Sequence, residues 1–339
     1  EIEFSDWSSD VCSSDLLQGM TPIKRVKLPS DIPVWEASVA YHRVFQTLHI
    51  LNDSVKRIPF DSPKIIITPK LQCILDEIEH LNSLIDEIPP VNQESSRYGN
   101  ISFRTWHKNL ESYSETMHKK ILPPELYGLI PEFHGYLMDA FGSPVRIDYG
   151  SGHELHFFCW IVLLVMLNVI TPEEYPGIIL AVFRRYLYLC RRLQQVYRLE
   201  PAGSHGVWGI DDYQFLPFLF GSAQLIRHPY LKPDSILDKS IVSLYEHNDF
   251  YFDCVAYINK VKCRAPFFEH SPDLFNISAA ESWEKINKGM FTKYHTDVLD
   301  KYPIIQHFLF GKLLPYEPYV HESSPTPESV PEQVKAGNN

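Results

Sequence analysis

The sequence predicts an all-α protein, a single compact multi-helix fold. Three observations predict it. Apolar residues recur at three- and four-residue steps along most of the chain, capping residues and prolines stand where such helices would begin and stop, and period-two alternation is rare. Taken in order, Ser30 or Asp31 can cap a helix that carries Pro33 in its first turn and runs through Trp35, Val39, Phe45 and Leu48. The alternating run Lys64 to Thr68 is short and bracketed by Pro63 and Pro69, so it predicts no sheet. From Leu71 to Ile88, Leu71, Ile74, Leu75, Ile78, Leu81, Ile85 and Ile88 form one apolar stripe with Asp76, Glu77, Glu79 and Asp86 between them, which is an amphipathic helix. Ile101 to Lys120 repeats the pattern through Phe103, Trp106, Leu110, Tyr113 and Met117, and Pro123-Pro124 stops it. His153 to Ile170 is apolar nearly all round, the mark of a helix at the centre of a fold. Thr171-Pro172-Glu173-Glu174 then reads as a capping box, with the Thr171 hydroxyl placed for the third amide and Glu174 reaching back. A long helix from about Gly177 to Arg198 follows. No internal repeat of solenoid period appears. Loops near 89–100, 142–152 and 200–211 hold most of the Gly, Pro and Asn, and loops are where function concentrates.

The ends distort the totals. Residues 1 to 16 have neither hydrophobic periodicity nor a signal-peptide layout, and Trp7 to Leu16 matches a sequencing-adapter oligonucleotide translated in one frame. Residues 1–20 are therefore expected to be an artefact outside the fold, with the folded domain spanning 23–315. Glu1, Glu3, Asp6, Asp10 and Asp15 account for part of the net charge of −11, and without them it is −6. The tail 316–339 carries four Glu and one Lys among Pro318, Pro325, Pro327 and Pro331, too little apolar surface to fold, and leaves a body near −3. A nearly neutral body without a basic stripe argues against nucleic-acid or anionic-membrane binding. Cys73, Cys159, Cys190, Cys254 and Cys263 are scattered without a C-x-x-C, which suits free thiols in a reducing compartment. The longest apolar run, Phe157 to Leu167, is far short of the roughly 18 to 20 residues of a membrane span. A soluble intracellular protein is expected, cytoplasmic and also nuclear.

Two segments carry candidate chemistry. Arg146-Ile147-Asp148-Tyr149-Gly150-Ser151-Gly152-His153-Glu154 is a glycine loop running into the apolar helix. Its amides, the helix N-terminus and the Arg146 fork suit a phosphate, yet the spacing is not Walker A, the loop has no Lys, no strand precedes it, and taken alone the segment reads more readily as a plain tight turn. The second segment, Pro201 to Tyr213, sets Gly203, Gly206 and Gly209 three residues apart and ends in Asp211-Asp212. The glycines leave backbone groups open to a ligand and the acids offer hard oxygens for Mg²⁺, but one of the two acids is expected simply to N-cap the next helix. Trp208 sits between these glycines, where a large ring more often forms a contact surface than a core, and aromatic surfaces grip proline-containing peptides. Phe215 to Phe220 reads as core around a bend at Pro217. His153 and His156 stand three apart rather than four and no third ligand is indicated, so zinc is not expected.

Over longer stretches the sequence resembles the phosphotyrosyl phosphatase activator family. The resemblance is carried by RIDYGSGHE at 146–154, LEPAGSHGVWGIDDYQFLPFLFGSAQL at 199–225 and YPIIQHFLFGKLLP at 302–315, supported by FDSPKIII at 60–67, YGNISFRTWH at 98–107 and Phe275 to Ser278. It extends over about residues 23 to 320. It implies an all-α fold with core, linker and lid parts, and binding to the catalytic subunit of type 2A protein phosphatases, often with the scaffold subunit, to convert an inactive form to an active one. It also implies ATP and Mg²⁺ as cofactors, a peptidyl-prolyl cis/trans isomerase activity on a proline-containing peptide, and a homodimer linked by nucleotide or peptide. Carried over residue by residue, the nucleotide contacts fall on Arg146, Ser151, Gly152, Pro303, Ile304 and Gln306, and the metal positions on Gly206 and Asp212. Asp211 and Trp208 match positions tied to activity and peptide contact. Ser151 replaces a residue that is often Thr, keeping the hydroxyl, and His205 falls where the family varies.

The resemblance and the residue chemistry meet in one expected mechanism. Prolyl rotation needs no acid or nucleophile; a thousandfold acceleration takes about 4 kcal/mol off a barrier of about 18–20 kcal/mol. A wall such as Trp208, with backbone groups of Gly206 to Gly209, is expected to hold the twisted bond. The rival expectation is a non-catalytic chaperone that clasps the phosphatase and promotes metal loading. A generic ATPase is weaker, because no base or water-positioning Gln is evident.

Overall fold

Thirteen consecutive positions from Glu154 to Met166 are buried, and they lie on one helix, Ser151–Met166, as the all-round apolar pattern predicts. Burying one Leu, Ile or Phe contributes roughly 1.5–3 kcal/mol, so this helix anchors the core. The computed structural model describes residues 18–92, 99–203 and 206–319. The expectations placed on residues 1–17, Ser204, His205 and the tail beyond Tyr319 lie outside the described residues.

Around the central helix pack Val39–Ser54 and Ile130–Asp139. Phe157 stacks flat on Tyr186, with ring centroids 3.7 Å apart, and so ties the centre to the helix Arg184–Tyr197. Trp160 donates its indole hydrogen to His118 Nε2 at 3.0 Å, while His118 Nδ1 donates to the Ser114 carbonyl at 2.7 Å. Burial pushes this neutral imidazole down to about 4. The amphipathic stripes of Pro69–Glu87 and Ser102–Ile121 pack on each other as expected. A second group is formed by Leu216–Gln224 against Phe250–Val261 and Trp283–Tyr294.

Three local expectations need correction. The helix expected to run from Ser30 through Leu48 is broken: Ile32–Glu36 ends, and Val39–Ser54 begins with the Ser38 hydroxyl accepting from the Tyr41 amide at 3.1 Å. Asp31 caps nothing downstream, because its carboxylate accepts from the Lys27 and Leu28 amides at 2.8 and 2.9 Å. At the capping box Glu174 does reach back, accepting from the Thr171 amide at 2.9 Å, but the Thr171 hydroxyl bonds the same carboxylate at 3.2 Å instead of receiving the third amide. The long helix then begins at Tyr175–Gly177, widens to a π-turn over Ile178–Phe183 and continues through Arg184–Tyr197 to a left-handed Arg198.

Two very short sheets, too short to show periodicity, pin loops to this helical body. Ile23–Lys24 pairs antiparallel with Leu309–Phe310, and Asp148–Tyr149 pairs in parallel with Glu200–Pro201. The second pairing joins the two glycine loops singled out in the sequence.

Candidate functional site

The parallel pairing puts the start of the central helix against the loop that follows Pro201. The Glu200 amide donates to the Ile147 carbonyl at 3.0 Å and the Ala202 amide to the Tyr149 carbonyl at 2.7 Å. Gly150 is required here, since a Cβ on it would lie 2.1 Å from the Ala202 oxygen. On the other side Ile304, on the short helix Tyr302–Ile305, packs so closely that a Cβ on Gly152 would lie 3.1 Å from its Cγ2. Three segments distant in sequence thus meet at one helix N-terminus.

Between them lies a cleft of about 390 Å³, a volume suited to a small-molecule ligand. Of the residues singled out for a nucleotide, Arg146, Gly152, Pro303 and Ile304 line it. Ser151 lines an adjoining cavity of about 30 Å³ together with Asp211 and Asp212, and the two spaces share Ala202 and Gly203 as a wall. Gln306 lines neither; its amide donates to the Pro303 carbonyl at 3.2 Å. Gly206, with φ +60°, and Trp208, 74% exposed, form a short turn that lines neither cavity.

Around Arg146 the cleft also gathers carboxylate and imidazole groups to which the sequence reading gave no role. Arg146 Nε donates to Asp148 Oδ2 at 2.6 Å, and His153 Nε2 stands 3.8 Å from the other oxygen. Burial pushes Asp148 up, but His153 and Arg146 outweigh it and hold the carboxyl below its ordinary range. His153 Nδ1 donates to the Asp139 carbonyl at 2.5 Å. His156 Nδ1 donates to the Gly152 carbonyl at 2.7 Å, which makes Nε2 the acceptor of a neutral ring, and burial depresses its pKa. Lys24, brought in by the antiparallel ribbon, can only donate, so its 3.4 Å contact with His307 Nδ1 fixes His307 as an Nε2–H tautomer. Histidine spacing alone could have flagged His153 and His156 as one face of a helix. Nothing in the sequence placed Lys24 or His307 beside them.

The acidic pair departs from the capping expectation. Neither Asp211 nor Asp212 caps the next helix. Asp211 Oδ1 accepts from the Tyr213 and Gln214 amides at 3.0 and 2.9 Å, closing a turn, and burial raises its pKa. The helix Leu216–Gln224 is capped from across the fold by Glu154, whose Oε2 accepts from the Phe215 and Leu216 amides, both at 2.9 Å. Glu154 is fully buried, and that burial raises it to about 8. Asp212 is paired with Lys262 at 2.8 Å. Among the described residues no group of three or more His, Cys, Asp or Glu side chains converges on a point that could hold a metal ion.

Residues 22–316 match a family model described as phosphotyrosyl phosphate activator (PTPA) protein. The chain is 44% identical over 296 residues to a probable serine/threonine-protein phosphatase 2A activator 1 of Dictyostelium discoideum, covering 87% of this chain and 90% of that one. It is 40% identical over 324 residues to the serine/threonine-protein phosphatase 2A activator 2 of Candida albicans, covering 93% and 85%. Among solved structures, the crystal structure of the PP2A phosphatase activator Ypa1 PTPA1 superposes with a TM-score of 0.81 at 33% identity, covering 89% of this chain and 97% of that one.

Proposed function

The chain belongs to the phosphotyrosyl phosphate activator family, and from that membership we propose that it activates protein phosphatase 2A by engaging the catalytic subunit. The observation that carries the reading is the family match across residues 22–316, which takes in the whole helical body and every segment that meets at the cleft. A scaffold subunit bound beside the catalytic one belongs to the same reading.

The cleft is the proposed nucleotide site. Its volume, the Arg146 guanidinium, the Lys24 ammonium and the N-terminus of the central helix support an ATP-class ligand, with Arg146 and the Ser151 and Gly152 amides holding phosphate. Two buried polar atoms bordering it, His156 Nε2 and Asp148 Oδ1, have no hydrogen-bond partner, as expected of a site that completes its bonding with a ligand. The donor set does not fit a metal held by protein alone. It fits Mg²⁺ shared between one carboxylate, Asp212, and ligand phosphates, the usual way this ion is bound. When bound, Mg²⁺ would supply charge neutralisation; Lys262 would then have to release Asp212.

Isomerase activity is the finer part of the proposal. Trp208 offers an exposed ring on a short turn, an aromatic surface of the kind that suits a prolyl segment. The engagement of Asp211 with two backbone amides favours the rival, a chaperone that clasps the phosphatase without catalysis, because that carboxylate then serves the shape of the loop. A pull-down with the phosphatase catalytic subunit, with and without Mg-ATP, tests the central proposal. Retention is expected, stronger with Mg-ATP; no association in either condition overturns it. Loss of prolyl isomerisation in Trp208→Ala supports the isomerase, whereas activation that requires stoichiometric amounts and survives that substitution supports the chaperone.

A further inference from the structure

We propose that Asp139 and His156 form a paired acceptor that reads the ribose diol of the nucleotide, so that the cleft selects a ribonucleotide over its 2′-deoxy counterpart. The inference rests on the nucleotide reading of the cleft and goes beyond it to two residues that no motif singled out as a pair.

His156 is only 3% exposed, yet it borders the cleft. Its Nδ1 hydrogen is committed to the Gly152 carbonyl at 2.7 Å, which leaves Nε2 as a lone-pair acceptor, and that atom has no hydrogen-bond partner. The nearest carboxylate oxygen, Asp139 Oδ2, is 3.9 Å away, beyond hydrogen-bond reach. Two acceptors in this relation do nothing for each other. They are completed by a ligand that brings two donors side by side, and a vicinal diol does so. Asp139 is the last residue of the helix Ile130–Asp139 and its carbonyl is held by His153, so its carboxylate is presented from a fixed backbone.

Position along the central helix favours the sugar over the base. His156 lies four residues, about 6 Å of helix rise, beyond Gly152, whose amide belongs to the end where phosphate is stabilised. In any nucleotide the ribose hydroxyls stand closer to the α-phosphate than the exocyclic amine of the base does. Of the other groups lining the cleft, Lys24 donates to His307 Nδ1, and the second unpartnered acceptor, Asp148 Oδ1, faces His153 Nε2 at 3.8 Å beside the Arg146 guanidinium that belongs to the phosphate end.

Isothermal titration of the full chain with ATP, 2′-deoxy-ATP and ITP, each with Mg²⁺, tests this on the wild type, Asp139→Ala and Asp139→Asn. The wild type is expected to bind 2′-deoxy-ATP about 10-fold more weakly than ATP and ITP within about twofold of ATP, because a site built to bond a hydroxyl rejects the analogue that lacks it. Asp139→Ala should lose most of that discrimination, whereas a merely structural role would weaken both ligands in parallel. Asp139→Asn, which keeps an acceptor oxygen in the same place, should retain part of it. Equal binding of ATP and 2′-deoxy-ATP to the wild type overturns the inference while leaving the nucleotide site standing. A penalty for ITP without one for 2′-deoxy-ATP overturns it in favour of the base amine. Failure of ATP to bind at all overturns the nucleotide reading and this inference with it.

Discussion

Replacing Glu154 by Gln should change how stability depends on pH while leaving the fold intact. Glu154 Oε2 accepts from the Phe215 and Leu216 amides at 2.9 Å each, and Oε1 is buried without a partner. The carboxyl is raised from 4.5 to about 8, first by burial, with Asp211 adding to it and the two amides opposing it. A group with a raised carboxyl pKa binds its proton in the folded state before the unfolded chain does, so folding takes up a proton between those two values. Stability from this group is therefore greatest at acid pH and falls as pH rises through the window from about 4.5 to about 8. Its slope approaches about 1.4 kcal/mol per pH unit in the middle of the window. Gln keeps the accepting oxygen and cannot ionise, and at pH 5 Glu154→Gln should differ from the wild type by less than about 1 kcal/mol. Moving to pH 8 should then favour the variant by a few kcal/mol, since only the wild type must hold a buried charge. Glu154→Ala is the contrast: it strands two buried amides at about 1–3 kcal/mol each and should be less stable at every pH. Urea unfolding from pH 5 to pH 8 measures all three proteins. Parallel curves for the wild type and Glu154→Gln would refute the assignment of a protonated Glu154, because Glu132 and Asp249, each raised to about 7 by burial, remain in both proteins and cancel in the comparison.

Other consequences are simpler. Gly150→Ala should destabilise the protein by about 1–3 kcal/mol and weaken nucleotide binding, because the new methyl meets the Ala202 oxygen and must push the two loops apart; thermal unfolding with a ligand titration reads both effects. Ser38→Ala should cost about 1 kcal/mol by thermal unfolding with no effect on nucleotide binding, since its hydroxyl caps a helix that does not line the cleft. Asp212→Ala should lower Mg-ATP-dependent phosphatase activation while changing stability by less than about 1 kcal/mol, because the Lys262 ion pair it breaks is partly exposed. Equal activation by Asp212→Ala and the wild type would exclude Asp212 from the metal.

The helices were legible because their information is local. An apolar stripe at Leu71, Ile74, Ile78, Leu81 and Ile85 needs no knowledge of its partner to predict a buried face, and all five are buried. Helix boundaries were less so: a proline at position 33 is equally compatible with one helix or two, and only the backbone at Ser38 decides. The glycine loops announced themselves as loops, but their meeting depends on a two-residue parallel pairing that has no periodicity to detect. The resemblance pointed to Arg146, Gly152, Pro303 and Ile304, and the fold brings these four together at one cleft. Residues such as Lys24, Asp139 and His307 stayed silent because their significance lies in neighbours far along the chain.

Glu154 shows why such distance matters to the site. Within its own helix it looks like an acid at a favourable N-terminal position, complementing the dipole. In three dimensions it holds the first turn of Leu216–Gln224, the helix that the Asp211-Asp212 turn leads into. Glu132 repeats the device on the other side, accepting from the Lys312 and Leu313 amides at 3.2 and 2.8 Å and fixing the segment just beyond Leu309–Phe310, whose ribbon partner carries Lys24. Both acids are buried, and both hold backbone that would otherwise be free to move relative to the cleft. The segments they hold also bury Phe215, Leu216, Leu313 and Leu314, and the two carboxyl groups satisfy backbone amides that this packing takes away from water. The same bonds keep these acids from being stranded polar groups, so a change at either acid should be felt first in the backbone segment it holds, before the core itself loosens.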